Sequence, residues 1–541
     1  MNSGSSAQIY DAIIIGGGHN GLVTAGYLSK AGLKTVVVER RTQLGGAAST
    51  EEVFPGYWAD TGSFDASLFM KNIISELGLE QYNLKVIGAP VLAFAPHSDS
   101  LPFILWRDTE KAQQEINRLS PKDARQYPLF ANKIAAMAGL LRDVWKLAPP
   151  NLPEINYGEI FSWLGVGRKL RRHGRREMME FIRVLPMPLA DYLDELFDNP
   201  WLKGVLGSQA LLGSFQGPRS PGTMYNFLHI ASGAQAGQAR SCQLIRGGMG
   251  RLAEALASAA RERGADIRLG SCVEKILIEA GQARGVVLES GDILYTRSVV
   301  SSLPPQYSFF DLVGTENLEV RFVQELKNIR YKGCTARIIL GLEGMPHFRS
   351  ASTRESLIKE GTLLSGRIVV CPDLDYLEHA YDQAKYGEFS SHPYLEIVLP
   401  TMLDASLAPP GRHLMLINVQ YAPYHLNIGS WDDQRDNLTR TVLQMLEELA
   451  PGIGDLILHQ LTLTPLDLEK RFGLPEGCIY HGQMSLDQQL FMRPVPGFRS
   501  YHTPINNLYL CGASSHPGGG VTGAPGYNAA HLIINELAKK R

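Results

Sequence analysis

Hydrophobic positions along the chain form a few recognisable patterns. Ala12–Ile15 (AIII) is a short, uninterrupted apolar run rich in β-branched residues, which predicts a strand buried on both faces of a parallel sheet. Further on, Leu22, Ala25, Leu28 and Ala31 fall near one face of a helix spanning roughly Gly21–Ala31, with Gly32 where a C-terminal cap belongs. Thr35–Glu39 (TVVVE) is a second strand ending in an acid. A helix over Arg251–Arg263, opened by Gly247–Gly250 and closed by Gly264, precedes a strand at Ile267–Gly270. Ser271–Glu279, Gly285–Glu289, a Ser-Gly-Asp turn, Ile293–Thr296 and Val299–Ser302 then form a strand–hairpin–strand. Near the end, Asn507–Cys511 (NLYLC) is a strand and Gly512–Gly523 a glycine-rich loop. A helix from about Ala524 to Ala538 carries Pro525 in its first turn.

Chemistry enters between the first strand and the first helix. Gly16, Gly18 and Gly21 spell GxGxxG, and His19 and Asn20 fill the variable positions. Strand, glycines, helix, strand and terminal acid in this order make a dinucleotide-binding βαβ unit. Gly16 permits the turn, Gly18 lets the backbone approach a pyrophosphate, and Gly21 lets helix and strand pack closely. The helix N-terminus offers unpaired N–H groups to phosphate. Glu39 suits a free ribose hydroxyl, whereas Arg40 and Arg41 would suit a 2′-phosphate. FAD and NAD both remain open at this point. Gly518–Gly523 matches GxGxxG again, but too late in the chain for a second βαβ unit to follow.

Glu39-Arg40-Arg41 followed by Gly45-Gly46-Ala47-Ala48 resembles the start of the phytoene-desaturase-like and amine-oxidase-like FAD enzymes. Met484–Gln488, Arg493–Pro496 and Leu508–Ala530 extend the resemblance over nearly the whole chain. They place it nearest the group of pyridine nucleotide-disulphide oxidoreductase domain-containing protein 2 and its bacterial relatives, with β-carotene ketolases and carotenoid isomerases as neighbours. The resemblance implies an α/β fold (α+β overall): a Rossmann-type FAD-binding domain of the glutathione-reductase/amine-oxidase type with an inserted mixed substrate domain. It implies that Gly45, Gly46 and Ala47 run past the flavin's phosphate and ribityl side, and that the backbone at Val273 meets the adenine. Gly512, Gly520, Val521 and Thr522, in the last glycine loop, would then border the flavin ring. Related enzymes carry Gly-Asp after the last strand; this chain has Gly512-Ala513, which leaves the acid's role unfilled. The expected partition is 1–87, 239–305 and 491–541 for FAD, with 88–238 and 306–490 as substrate or cap domain.

Composition narrows the rest. A chain of 541 residues, 44% hydrophobic and 20% charged, is long enough for two or three intertwined domains. Its formal net charge of -2 gives no electrostatic case for nucleic acid. Six separated cysteines form no CxxC, which argues against a dithiol centre and a structural metal site and suits a reducing, cytoplasmic compartment. Neither a signal peptide nor a membrane-spanning run is expected. Arg168–Arg176 (RKLRRHGRR) is either a solvated face or a peripheral contact with anionic lipid. With no second nucleotide-binding unit, the expected reaction is flavin reduction by a hydrophobic, polyene- or isoprenoid-like substrate and reoxidation by oxygen or a quinone. A ketolase or redox-neutral isomerase, or a catalytically silent FAD-containing scaffold, stands as the alternative. His516 is a candidate acid/base or flavin-tuning group; otherwise it is an ordinary loop histidine.

Overall fold

The computed structural model describes residues 9–539 apart from 99, 148, 150–162, 166, 169, 170, 173, 235–241, 353–359 and 499. Five short strands form a parallel sheet: β1 (Ala12–Ile15), β2 (Thr35–Val38), β3 (Asp266–Arg268), β4 (Val299–Ser301) and β5 (Leu508–Leu510). Their order across the sheet is β3-β2-β1-β4-β5. The order reverses between β1 and β4, and ligands of doubly wound sheets bind in the crevice at such a switch point, beyond the strands' carboxyl ends.

The apolarity of β1 follows from its two covered faces. Ala12 and Ile14 face helices α1 (His19–Lys30), α2 (Gly250–Glu262) and α3 (Ala524–Lys539), meeting Leu22, Leu256 and Ile533 in one core. Ile13 and Ile15 face a three-stranded antiparallel meander (Val273–Glu279, Gln282–Leu288 and Ile293–Thr296) and meet Val273, Ile276 and Val286. A strand with no solvent face has no position for a polar side chain.

The second large sheet has seven strands. Its order is Ile457–Leu463, Thr335–Leu342, His413–Gln420, Tyr394–Val398, Arg367–Val370, Val91–Ala95 and Phe103–Trp106. Both inserted stretches supply strands to it, joined through the parallel pairing of Arg367–Val370 with Val91–Ala95. One face packs on helix Trp431–Leu449 through Ile338, Leu340, Leu438 and Val442. The other packs through Ile339, Leu414 and Leu416 on Tyr57 and Phe64, beside the nucleotide-binding part. Tyr307–Val313 and Val320–Lys327 depart from the expected partition: Phe309, Leu312, Phe322 and Leu326 pack with the meander rather than on the seven-stranded sheet. Among the described residues, no helix is long and apolar enough to cross a membrane.

Candidate active site

The turn after β1 shows what each glycine does. Gly16 has φ +96°, a conformation that a β-carbon disfavours. A Cβ at Gly21 would fall on the carbonyl oxygen of Gly16, so only glycine lets α1 lie so close to β1. A Cβ at Gly18 would meet nothing within 4 Å. That position opens into a cleft of about 580 Å³ at the switch point.

Gly16, Gly18, His19, Asn20, Glu39, Arg40, Gly45, Gly46, Ala47 and Val273 all line this cleft. Glu39 accepts the amide hydrogens of Gly17 at 2.7 Å and Arg41 at 2.8 Å, which fixes its carboxylate at the end of β2. Arg40 is exposed at the rim, while Arg41, which also lines the cleft, pairs with Glu51 and reaches the Gly46 carbonyl. The second glycine pair docks on the first motif: Gly45 N–H donates to Gly17 O at 2.9 Å. Gly21 lies behind the cleft, in the packing role its spacing predicts. The arrangement fits FAD on its own geometry. A helix N-terminus, an open approach at Gly18, a fixed carboxylate and an unpartnered buried Asn20 Oδ1 line one elongated crevice. The α1 turn would hold the pyrophosphate and Glu39 the ribose.

A smaller chamber of about 130 Å³ adjoins the cleft; His19, Ala47, Leu474, His481 and Ala513 border both. Its walls are mainly apolar, with Phe64, Leu68, Leu212, Ile230 and Ile479. Gly520 and Val521 line this chamber rather than the cleft. Gly512 and Thr522 line neither. Gly512 passes too close to the Ser302 carbonyl to carry a side chain, and Thr522 uses its hydroxyl to accept the Ala524 amide at 3.1 Å, at the start of α3. Ala513 stands at the junction of the two cavities.

His516 is not placed for catalysis. It is 1% exposed, lines neither cavity, and its Nε2 lies 3.1 Å from the carbonyl of Val144. Burial pushes its pKa down to about 4. His19 and His481 stand where His516 was expected. Among the described residues, His19 Nε2 and His481 Nδ1 are buried without a hydrogen-bond partner, and burial lowers the two rings to about 4 and about 3. Both residues keep part of their surface open to the cavities, which tempers that desolvation.

Three further residues carry no role in the sequence pattern: Arg493, there only as part of the resemblance, Arg337 and Asn418. Arg493, 2% exposed, ties the segment behind His481 to the last glycine loop, donating to Tyr480 O at 2.7 Å and Ala513 O at 2.9 Å. Arg337 and Asn418 face each other across adjacent strands and line the chamber. Arg337 had left a signal: it is the lone charge in the otherwise apolar run ARIIL. Of the basic run, Lys169, Leu170 and His173 lie outside the described residues, while Arg168, Arg171, Arg172, Arg175 and Arg176 are exposed.

Comparison with known proteins agrees with this geometry. The family model described as "Flavin containing amine oxidoreductase" matches residues 21–534. Pyridine nucleotide-disulfide oxidoreductase domain-containing protein 2 of Rattus norvegicus is 35% identical over 98% of this chain and 94% of its own. A limonene dehydrogenase polypeptide of Castellaniella defragrans is 26% identical over 98% and 96%. The crystal structure of an oxidoreductase from Methanosarcina mazei superimposes with a TM-score of 0.60 at 16% identity, covering 97% of this chain and 99% of that one. Fold, cleft and family match together show that the chain belongs to the flavin-containing amine oxidoreductase family and is an FAD-dependent oxidoreductase.

Proposed function

We propose that the protein dehydrogenates a hydrophobic substrate whose reacting carbons enter the small chamber. The observation that carries this reading is the wall that the two cavities share at His19, Ala47 and His481, which sets an apolar chamber against the cofactor cleft. FAD, when bound, supplies the acceptor for a hydride. Forming a double bond also releases a proton from the neighbouring carbon. His481 Nδ1, neutral and unpartnered at the junction, is the group positioned to take it. A chamber of about 130 Å³ is close in size to an engineered cavity of about 150 Å³ that holds benzene. It therefore suits a compact isoprenoid, or one end of a longer polyene, and the limonene dehydrogenase relative supports the same size class. In this reading oxygen or a quinone takes the electrons away.

Anaerobic visible spectroscopy of the purified protein tests the proposal. Flavin bands that bleach with a hydrophobic donor and not with NADPH are the expected result. Bleaching by NADPH alone would reject the substrate-driven half-reaction and favour a ketolase or isomerase that works from reduced flavin. We also propose a peripheral membrane contact, because Met179 and Ile182 are each more than half exposed on the same helix as the exposed Arg175 and Arg176. Co-sedimentation with anionic but not neutral vesicles is expected, and equal sedimentation with neither would reject it.

A further inference from the structure

We propose that the chamber recognises a carboxylate on its substrate, held by Arg337 with Asn418 beside it. This rests on the dehydrogenase reading of the chamber and narrows its substrate to amphipathic acids. Arg337 sits in the seven-stranded sheet, 7% exposed, on the face turned toward the nucleotide-binding part. Along that face the residues change from apolar (Ile339, Leu414, Leu416) to polar (Thr335, Arg337, Asn418) where the chamber begins.

The guanidinium is positioned but not neutralised. Nε and Nη2 both donate to Asn418 Oδ1, at 3.1 and 2.6 Å, and Nη1 donates to the Asp60 carbonyl at 2.8 Å. The group also lies over the Phe64 ring, 5.4 Å from its centre. Of its five N–H donors, two have no partner among the described residues. No carboxylate among the described residues lies within ion-pair distance of it. Glu396 is taken by Arg367 at 2.9 Å. Asp60 Oδ1 already accepts from Thr50 and Met249. Asp65, the acid in the chamber wall, binds the amides of Ser67 and Gln243.

Asp60 and Glu396 act on this cation only from beyond ion-pair distance, a buried cation with no carboxylate in contact is costly, and a planar fork with two free donors matches a carboxylate. The same charge repels an ammonium, so the chamber disfavours the amines in the family's name. The apolar walls at Leu212, Ile230 and Ile479 would take the hydrocarbon part of the acid.

The experiment titrates the flavin-loaded protein with benzoate and with benzamide, its neutral isostere, and follows the visible flavin band. Benzoate is expected to bind at least tenfold more tightly. Arg337→Met should abolish that preference at an unchanged flavin-to-protein ratio, and Arg337→Lys should keep part of it. Equal binding of the two probes by the wild-type protein overturns the carboxylate site, as does a preference that survives Arg337→Met. If Arg337→Met fails to retain flavin, the wild-type comparison alone decides. A wild-type protein that purifies without any flavin band overturns the underlying dehydrogenase reading instead.

Discussion

A Cβ at Gly18 and one at Gly21 would have opposite consequences, although the two residues belong to one motif. Gly18 has φ −69° and ψ 167°, ordinary for any residue, and its missing side chain would point into the open cleft. Gly18→Val should therefore fold normally and lose FAD. The flavin-to-protein ratio and the far-UV circular dichroism melt check this, and a fully flavin-loaded variant would refute the assignment. Gly21→Ala drives a methyl group into the Gly16 carbonyl and should cost folding stability as well, by several kcal/mol. At the junction, His481→Leu should slow flavin reduction by about 100-fold while keeping FAD, the low end of what a positioned acid or base contributes. Single-turnover reduction measures it, and an unchanged rate would remove His481 from the reaction. The glycines were legible in sequence because their partners lie within thirty residues. Asn418 was not, because it meets Arg337 by strand pairing across 81 residues, and neither was His481, which reaches the cavities from a loop; no local spacing records either placement.

Close approach between elements sets the next scale. α3 reaches the start of α1 at Gly526, where a Cβ would fall on the Asn20 carbonyl, and Thr24 Oγ1 lies 3.2 Å from Gly526 O. Gly526→Val should push the two helices apart beside the phosphate turn, lowering FAD affinity and thermal stability together. A melting midpoint that moves without any change in flavin content would show that the two are not coupled. Ile14, fully buried where β1 packs on the helices, offers a pure packing test. Ile14→Ala should destabilise the fold by about 2–5 kcal/mol in chemical denaturation, chiefly through the cavity it leaves. Strand and helix positions in the nucleotide-binding part were readable because period and turn chemistry agree there. The seven-stranded sheet was not, since its strands come from two insertions and its edges pair by register alone. For the same reason, the helical turn Tyr307–Val313 reads as inserted chain but packs on the meander.

Over the whole molecule, buried histidines link stability to pH. His229 and His516 are each 1% exposed, and burial lowers each to about 4 from an ordinary value of 6.5. The unfolded chain binds their protons first, so this stability is present above pH 6.5 and is lost as pH falls through 4. Each pKa unit corresponds to roughly 1.4 kcal/mol, so the pair should make the protein markedly acid-labile. The melting temperature should fall steadily between pH 6.5 and 4, and His516→Gln should flatten that slope; an unchanged slope would show that other groups carry the acid sensitivity. The order of the nucleotide-binding sheet has a further consequence, for the making of the protein. Ser302, which hydrogen-bonds the Ile15 carbonyl at the switch point, lies 287 residues beyond it, and Gly526 lies 502 residues beyond Thr24. At a synthesis rate of about 5–20 residues per second, the phosphate turn waits roughly half a minute or more on the ribosome before its covering helix exists. Flavin capture therefore waits until that helix has been made, and the greasy underside of α1 is what a chaperone would shield in the meantime.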